Sequence, residues 1–394
     1  MKSIPLKSNA RPFAELLKRL VYACCVVVLL TACRGEDEHV VPSTWTRVAD
    51  ANPKSAVKGF YLLNEGNMGS NKSTLDYFDY TTGYYRKNMY AEINPSVVME
   101  LGDVGNDLQC YGQKLYAIIN CSHFVEVMNR SDAKHIGTVN IPNCRYIVFN
   151  GRYAYVSSYA GPVKVDPNAR LGYIAKVDTA TLQVVDTCVV GYQPEEMAIV
   201  GGKLYVANSG GYRVPNYDRT ISVVDLATFK ETKKIDVAIN LHRLRSDDYG
   251  YLWVSSRGDY YTVPSKLYVV DTRSDQVVDS LNVGVSNMTL DEDCLYTIST
   301  EYSYTSGQEW TVSYAKINVQ NRQIITHNFI EDGTEKVIKK PYGIGVNPKT
   351  KEIFLTDAKD YVSPGTLYCF SPEGRKKWSV RTGDIPAHFC FINP

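Results

Sequence analysis

Two sets of side chains in this 394-residue chain have the composition of a binding surface. The first is Asp107, Arg145, Glu196, Arg243, Asn287, Tyr342 and His388, which recur at matching places in successive units of the chain. No one residue type is common to all seven, and an unlike ring of donors, acceptors and charges suits an asymmetric polar ligand. The plain alternative is a water-filled channel mouth of unselected residues. The second set is Tyr159, Tyr212, Arg213, Tyr217, Arg219, Arg257, Tyr260, Tyr261, Tyr302, Tyr304, Trp310 and Tyr361. Aromatic and Arg side chains present large areas and fixed donors at modest entropic cost. Tyrosine is abundant, with 30 in the chain, so loop-against-loop packing is the competing reading for any single member.

Catalytic signatures are sparse, and no catalytic residue is assigned. His123, His135, His242, His327 and His388 are spread over several units without metal-ligand spacing. No Gly-rich phosphate loop follows a strand, and no nucleophile elbow occurs. No metal or resident cofactor is expected. A hydrolytic, lactonase-like site built from His388, Arg145, Arg243 and Glu196 stays open as an alternative, because a site assembled from several units escapes motif reading.

The elements that must position these residues are written in a repeated phrase of apolar, aromatic, apolar. It reads Phe60-Tyr61-Leu62, Leu115-Tyr116-Ala117, Ala154-Tyr155-Val156, Leu204-Tyr205-Val206, Leu252-Trp253-Val254, Leu295-Tyr296-Thr297 and Ile353-Phe354-Leu355. Units of roughly fifty residues rich in short strands cannot bury their own faces and must stack on copies of themselves. Seven of them predict an all-β fold, a seven-bladed β-propeller with four-stranded blades. In the fourth unit Pro194 to Val200 is the inner strand, Gly201-Gly202 a hairpin turn, and Lys203 to Ala207 the second strand. The third strand ends at Asp225, where Asp225-Leu226-Ala227-Thr228 turns the chain. The recurrent Asp at this position is therefore a turn device, not a catalytic set. The first unit begins with its second strand, so Asp384 to Phe391 is expected to supply its inner strand and close the ring.

Loops between strands one and two, and three and four, are short, as at Asn150-Gly151. Those on the other rim are long: Ser157 to Arg170, Asn208 to Arg219, Ser255 to Ser265, Thr300 to Trp310 and Asp357 to Gly365. Long loops on a rigid scaffold usually carry recognition, which places the expected site on that face.

Residues 1–32 read as a leader: a basic n-region with Lys2, Lys7, Arg11, Lys18 and Arg19, then an apolar run from Leu20 to Leu30. Leu30-Thr31-Ala32-Cys33 resembles the lipobox of bacterial lipoproteins, which implies lipidation at Cys33. Arg34-Gly35-Glu36-Asp37-Glu38 is similar to the acidic signal that sends some lipoproteins to the outer face of the outer membrane. Residues 33–57 then form a tether and 58–394 the propeller. Without residues 1–33 the net charge is about −3, which argues against nucleic acid and leaves the lipid as the expected membrane contact. Seven cysteines remain, an odd number without metal spacing, and no pair is assigned among them.

The phrases Gly202-Lys203-Leu204-Tyr205-Val206-Ala207-Asn208 and Ile221-Ser222-Val223-Val224-Asp225 resemble the YncE-like, surface-layer type of seven-bladed propeller over residues 58–394. The opening stretch Leu62 to Asn71, with Leu75-Asp76-Tyr77-Phe78-Asp79, is similar to propeller lipoproteins of Gram-negative gut bacteria, the BtuG type. These work beside TonB-dependent outer-membrane transporters. The resemblance implies a surface-exposed receptor that captures cobalamin or another corrinoid and passes it to such a transporter. It carries no binding motif residue by residue. A protein-binding adhesion or scaffold module is a further alternative.

Overall fold

A computed structural model describes residues 44–97, 101–302 and 310–392. The leader, the Cys33 motif and Tyr304 lie outside them. The described residues form seven antiparallel sheets, six of four strands and one of five. Their inner strands touch in ring order and return to the start, as a closed propeller requires. Blade one takes Pro386–Ile392 as its inner strand, paired with Gly59–Asn64 so that Tyr61 faces Cys390. The two ends of the fold thus share one blade, and the second strand of blade one is paired on both sides. Thr44–Arg47, inside the stretch read as tether, adds a fifth strand outside Tyr84–Lys87.

The repeated aromatic explains why blades stack. Tyr61, Tyr116, Tyr155, Tyr205, Trp253, Tyr296 and Phe354 are all buried, and each belongs to a different one of seven apolar clusters. Each cluster lies between neighbouring blades: Trp253 of blade five packs with Leu295 and Ile317 of blade six. Burying one such ring contributes about 1.5–3 kcal/mol, and the phrase does so once per interface. The hydroxyls are placed too. Tyr205 donates to Asp275 Oδ1 at 3.0 Å, in the outer turn of blade five, and Tyr61 donates to the Arg130 carbonyl at 3.0 Å, in that of blade two.

Turns follow the local chemistry. Asp225 Oδ1 accepts from the Thr228 backbone and hydroxyl at 2.7 and 2.8 Å, and Asp178 Oδ1 accepts from Ala180 N at 2.8 Å. Gly201 and Gly202 both have positive φ, +57° and +78°, the conformation a two-residue hairpin demands. Where the sequence assigned no cysteine pair, the structure joins Cys110 of blade two to Cys390 of the closing strand. The two are 280 residues apart, so no local spacing could have announced the bond; ring closure alone makes them neighbours. Cys144, Cys188 and Cys369 are buried thiols, and Cys121 and Cys294 are half-buried.

Candidate functional site

The floor of the long-loop face is built by a recurrent distortion of the inner strands. In blades three, four, five and seven, two consecutive inner-strand residues oppose a single residue of the second strand. Such a bulge re-aims side chains and frees a backbone N–H. In three blades the freed N–H is caught by the opposing hydroxyl: Tyr146 N by Ser157 Oγ at 3.1 Å, Arg243 N by Ser255 Oγ at 3.0 Å, and Gly343 N by Thr356 Oγ1 at 2.7 Å. The bulge delivers residue pairs to the channel mouth, among them Arg145-Tyr146, Glu195-Glu196 and His242-Arg243. Counting one position per blade found Arg145, Glu196 and Arg243, and passed over Tyr146, Glu195 and His242.

Those pairs form an ionic network around the two glutamates. Glu195, wholly buried, accepts from Arg145 at 3.3 Å and from the Tyr159 hydroxyl at 2.5 Å, with Arg257 3.6 Å away. Glu196 accepts from Arg243 Nη1 at 2.7 Å, from Leu244 N at 2.9 Å and from Arg245. Burial works against ionisation of Glu196, yet Arg245 and Arg243 hold its carboxyl below the ordinary range. His242 receives a hydrogen bond from Arg257 at Nε2, 2.8 Å, and lies 3.0 Å from the Tyr146 hydroxyl. A guanidinium can only donate, so Nε2 is the acceptor and the ring proton sits on Nδ1. Burial, then Arg257, Arg243 and Arg145, drive the His242 pKa well below its usual value and keep the ring neutral.

Other channel-mouth residues bind the next blade. Asp107 Oδ2 accepts from Ile147 N at 3.0 Å, and Asn287 Nδ2 donates to the Tyr342 carbonyl at 2.9 Å. His388 and Tyr342 converge on Glu65, at 3.1 and 2.8 Å. The unlike ring is thus partly a set of interblade clamps.

One cavity of about 820 Å³ opens on this face beside blades five, six and seven. Six of the rim residues, Arg257, Tyr260, Tyr261, Tyr302, Trp310 and Tyr361, line it together with Arg243 and Tyr342. Tyr302, Trp310, Tyr361 and Tyr342 form a continuous aromatic wall, with successive ring centroids 5.1, 6.1 and 5.8 Å apart. Tyr302 and Trp310 are not loop residues, as the sequence reading had them. They pair across a hairpin that extends blade six, Cys294–Tyr302 with Trp310–Asn318. Tyr260 and Tyr361 sit on two copies of one device. Asp259 accepts three backbone hydrogen bonds, from Tyr261, Thr262 and Val263, and one from the Thr262 hydroxyl. Asp360 accepts from Val362 N, Ser363 N and the Ser363 hydroxyl. Those donors hold the Asp360 carboxyl down to about 2. Both tyrosines have left-handed backbone, φ +65° and +66°, which the aspartate cage maintains. Asp-Tyr-x-Thr and Asp-Tyr-x-Ser were legible in the chain as a signal for both positions.

The remaining rim residues lie on the blade three and four side. Tyr159 is buried under Arg145, whose guanidinium stands 4.7 Å from its ring centre, and Tyr212 packs 6.3 Å from Tyr159. Arg213 covers Tyr192 at 3.5 Å and donates to the Asn216 carbonyl at 2.8 Å. Tyr217 lies half-buried in the same loop, and Arg219 pairs with Asp236 at 2.6 Å. A second cavity, about 700 Å³, opens between blades one and seven on the opposite rim, around Tyr80, Glu352 and Trp378.

Comparison with solved structures finds the same fold in distant proteins. A quinonprotein alcohol dehydrogenase-like protein from Bacteroides thetaiotaomicron is 13% identical at TM-score 0.58, covering 86% of this chain and 79% of that one. Kuenenia stuttgartiensis hydrazine synthase is 15% identical at TM-score 0.53, covering 68% and 77%. At such identity the likeness is one of fold. Comparison with curated proteins returns no match. The profile of a domain of unknown function, DUF5074, matches residues 58–389, and the chain belongs to that family.

Proposed function

We propose that this protein is a ligand-capture propeller whose site is the cavity beside blades five to seven. The single observation that carries the reading is convergence: six rim residues and two channel-mouth residues, drawn from three blades, line one cavity. Its volume falls within the range of small-molecule sites, which bury a ligand among aromatic walls with a few placed polar groups. The hydrolytic alternative is less well supported. Arg243 and Glu196 pair with each other, Arg145 is held by Glu195 and His388 by Glu65, and of the four only Arg243 lines the cavity.

The proposed ligand is cobalamin or another corrinoid, whose ring of amide side chains could pair with the Tyr, Arg and Thr groups here. The proposed setting is a lipid anchor at Cys33 on the outer membrane, facing the exterior, with a TonB-dependent transporter as recipient. The resemblance at Leu62 to Asn71 and the Leu30 to Cys33 motif support it. A thermal-shift titration of the full chain with cyanocobalamin tests the ligand. Tight binding to the folded state raises the melting temperature through a stabilisation of about RT ln(1 + [L]/Kd). An unmoved melting curve at micromolar and higher cyanocobalamin discards the corrinoid.

A further inference from the structure

The cavity has a charge as well as a shape. Its wall carries two guanidinium groups, Arg243 and Arg257, against one carboxylate, Glu301, which a hydrogen bond from Ser299 already engages at 2.9 Å. Behind the wall, where Tyr342 also reaches the Glu65 carboxylate, the guanidinium groups share their partners. Four arginines, Arg145, Arg243, Arg245 and Arg257, share two carboxylates, Glu195 and Glu196. His242 adds no charge while Arg257 donates to its Nε2. Its Nδ1–H is a buried donor with no partner among the described residues, in a side chain that lines the cavity. Partly buried guanidinium groups that share carboxylates two to one, next to an unsatisfied donor, are stabilised by an incoming anion.

The aromatic wall lines the same cavity as the arginines. Lys340 lies over the Trp310 ring, 3.0 Å from its centre, and adds a third cation at the edge of the site. Trp310 is nonetheless 47% exposed, so the indole keeps surface for a second partner. A flat ring stacks on such a surface, and a charged group fixed to that ring would share one cavity with the arginines.

We propose that this cavity selects ligands that carry an anionic group attached to a flat unsaturated ring. The anion lies at Arg257 and Arg243, and the ring stacks on the Tyr302–Trp310–Tyr361 wall. The inference rests on the capture reading above and adds to it the chemical class of the ligand. It concerns binding alone, and no bond is made or broken.

Three probes separate its two halves: 2-naphthoate, the neutral 2-naphthamide, and cyclohexanecarboxylate, which keeps the anion and loses the ring. Each is titrated calorimetrically into the full chain in nanodiscs, with empty nanodiscs as blank and cyanocobalamin as a separate arm. The expected order is naphthoate tightest, by about tenfold over each of the others, the ratio that one charge-assisted hydrogen bond or one good stack supplies. Arg257→Gln should bring naphthoate and naphthamide together, and Arg257→Lys should restore part of the gap. Trp310→Leu should remove the preference for the ring and leave that for the anion. Arg257 and Trp310 are partly exposed, so these variants are expected to fold, and an unchanged melting temperature verifies it. Equal affinity for naphthoate and naphthamide overturns the proposal. If cyanocobalamin binds while the two naphthalene probes are indistinguishable, capture stands and the anionic class falls. If no probe and no corrinoid binds, both fall.

Discussion

Two halves of the same rim make opposite use of the same residue types. On blades three and four, Arg145, Tyr159 and Glu195 satisfy one another, and Arg213 is folded onto Tyr192 within its own loop. On blades five to seven, arginine and tyrosine line one cavity, with Tyr260, Tyr261 and Trp310 well exposed. Composition is alike and consequence is not. What separates a binding surface from a structural one here is whether the side chains close over one another or line a cavity.

The largest expected effect comes from breaking the closed half. Glu195→Ala leaves Arg145 and Arg257 without their carboxylate, and removal of one partner from a buried ion pair costs about 3–5 kcal/mol. Urea unfolding measures it, and a loss below about 1 kcal/mol would show that the cluster is hydrated rather than closed. Trp310→Leu, on the open half, should do the reverse. Stability changes by less than about 1 kcal/mol, while affinity for a ring-bearing ligand falls about tenfold.

A pH titration sharpens the contrast through His242, at the seam between the halves. The folded protein keeps the ring neutral, whereas the unfolded chain takes up a proton near pH 6.5. Stability from this group is therefore whole above about pH 6.5 and drains away as pH falls toward the folded value, by about 1.4 kcal/mol per unit. Melting curves between pH 7.5 and 5.5 should show this slope in the parent and a flatter one in His242→Gln. The smallest effect is expected at Arg213→Ala: at most about 1 kcal/mol, with ligand affinity unchanged. A clear loss of affinity there would move the site toward blade four.

Much of the architecture was legible because it depends on patterns that repeat. The apolar–aromatic–apolar phrase marks every second strand, and all seven of its aromatics are buried between blades. The closing strand was visible because the first unit lacked an inner one. The site was legible only as a face. Choosing one residue per inner strand assumes a regular ladder, and the bulges place two there, so Glu195 and His242 were passed over. The sign of those bulges was present in the hydroxyl after the repeated phrase, in Val156-Ser157, Val254-Ser255 and Leu355-Thr356.

By itself the sequence determined the propeller, its closure and the face that carries long aromatic loops, since strand period, turn chemistry and repeat length are local properties of the chain. Only the tertiary structure decided which side chains are engaged and which face a cavity. It also decided that Cys110 meets Cys390, that Asp107 clamps a neighbouring blade, and that Arg257 reaches Glu195. Those partners are brought together from distant blades, and the electrostatic balance of the site is a sum over all of them.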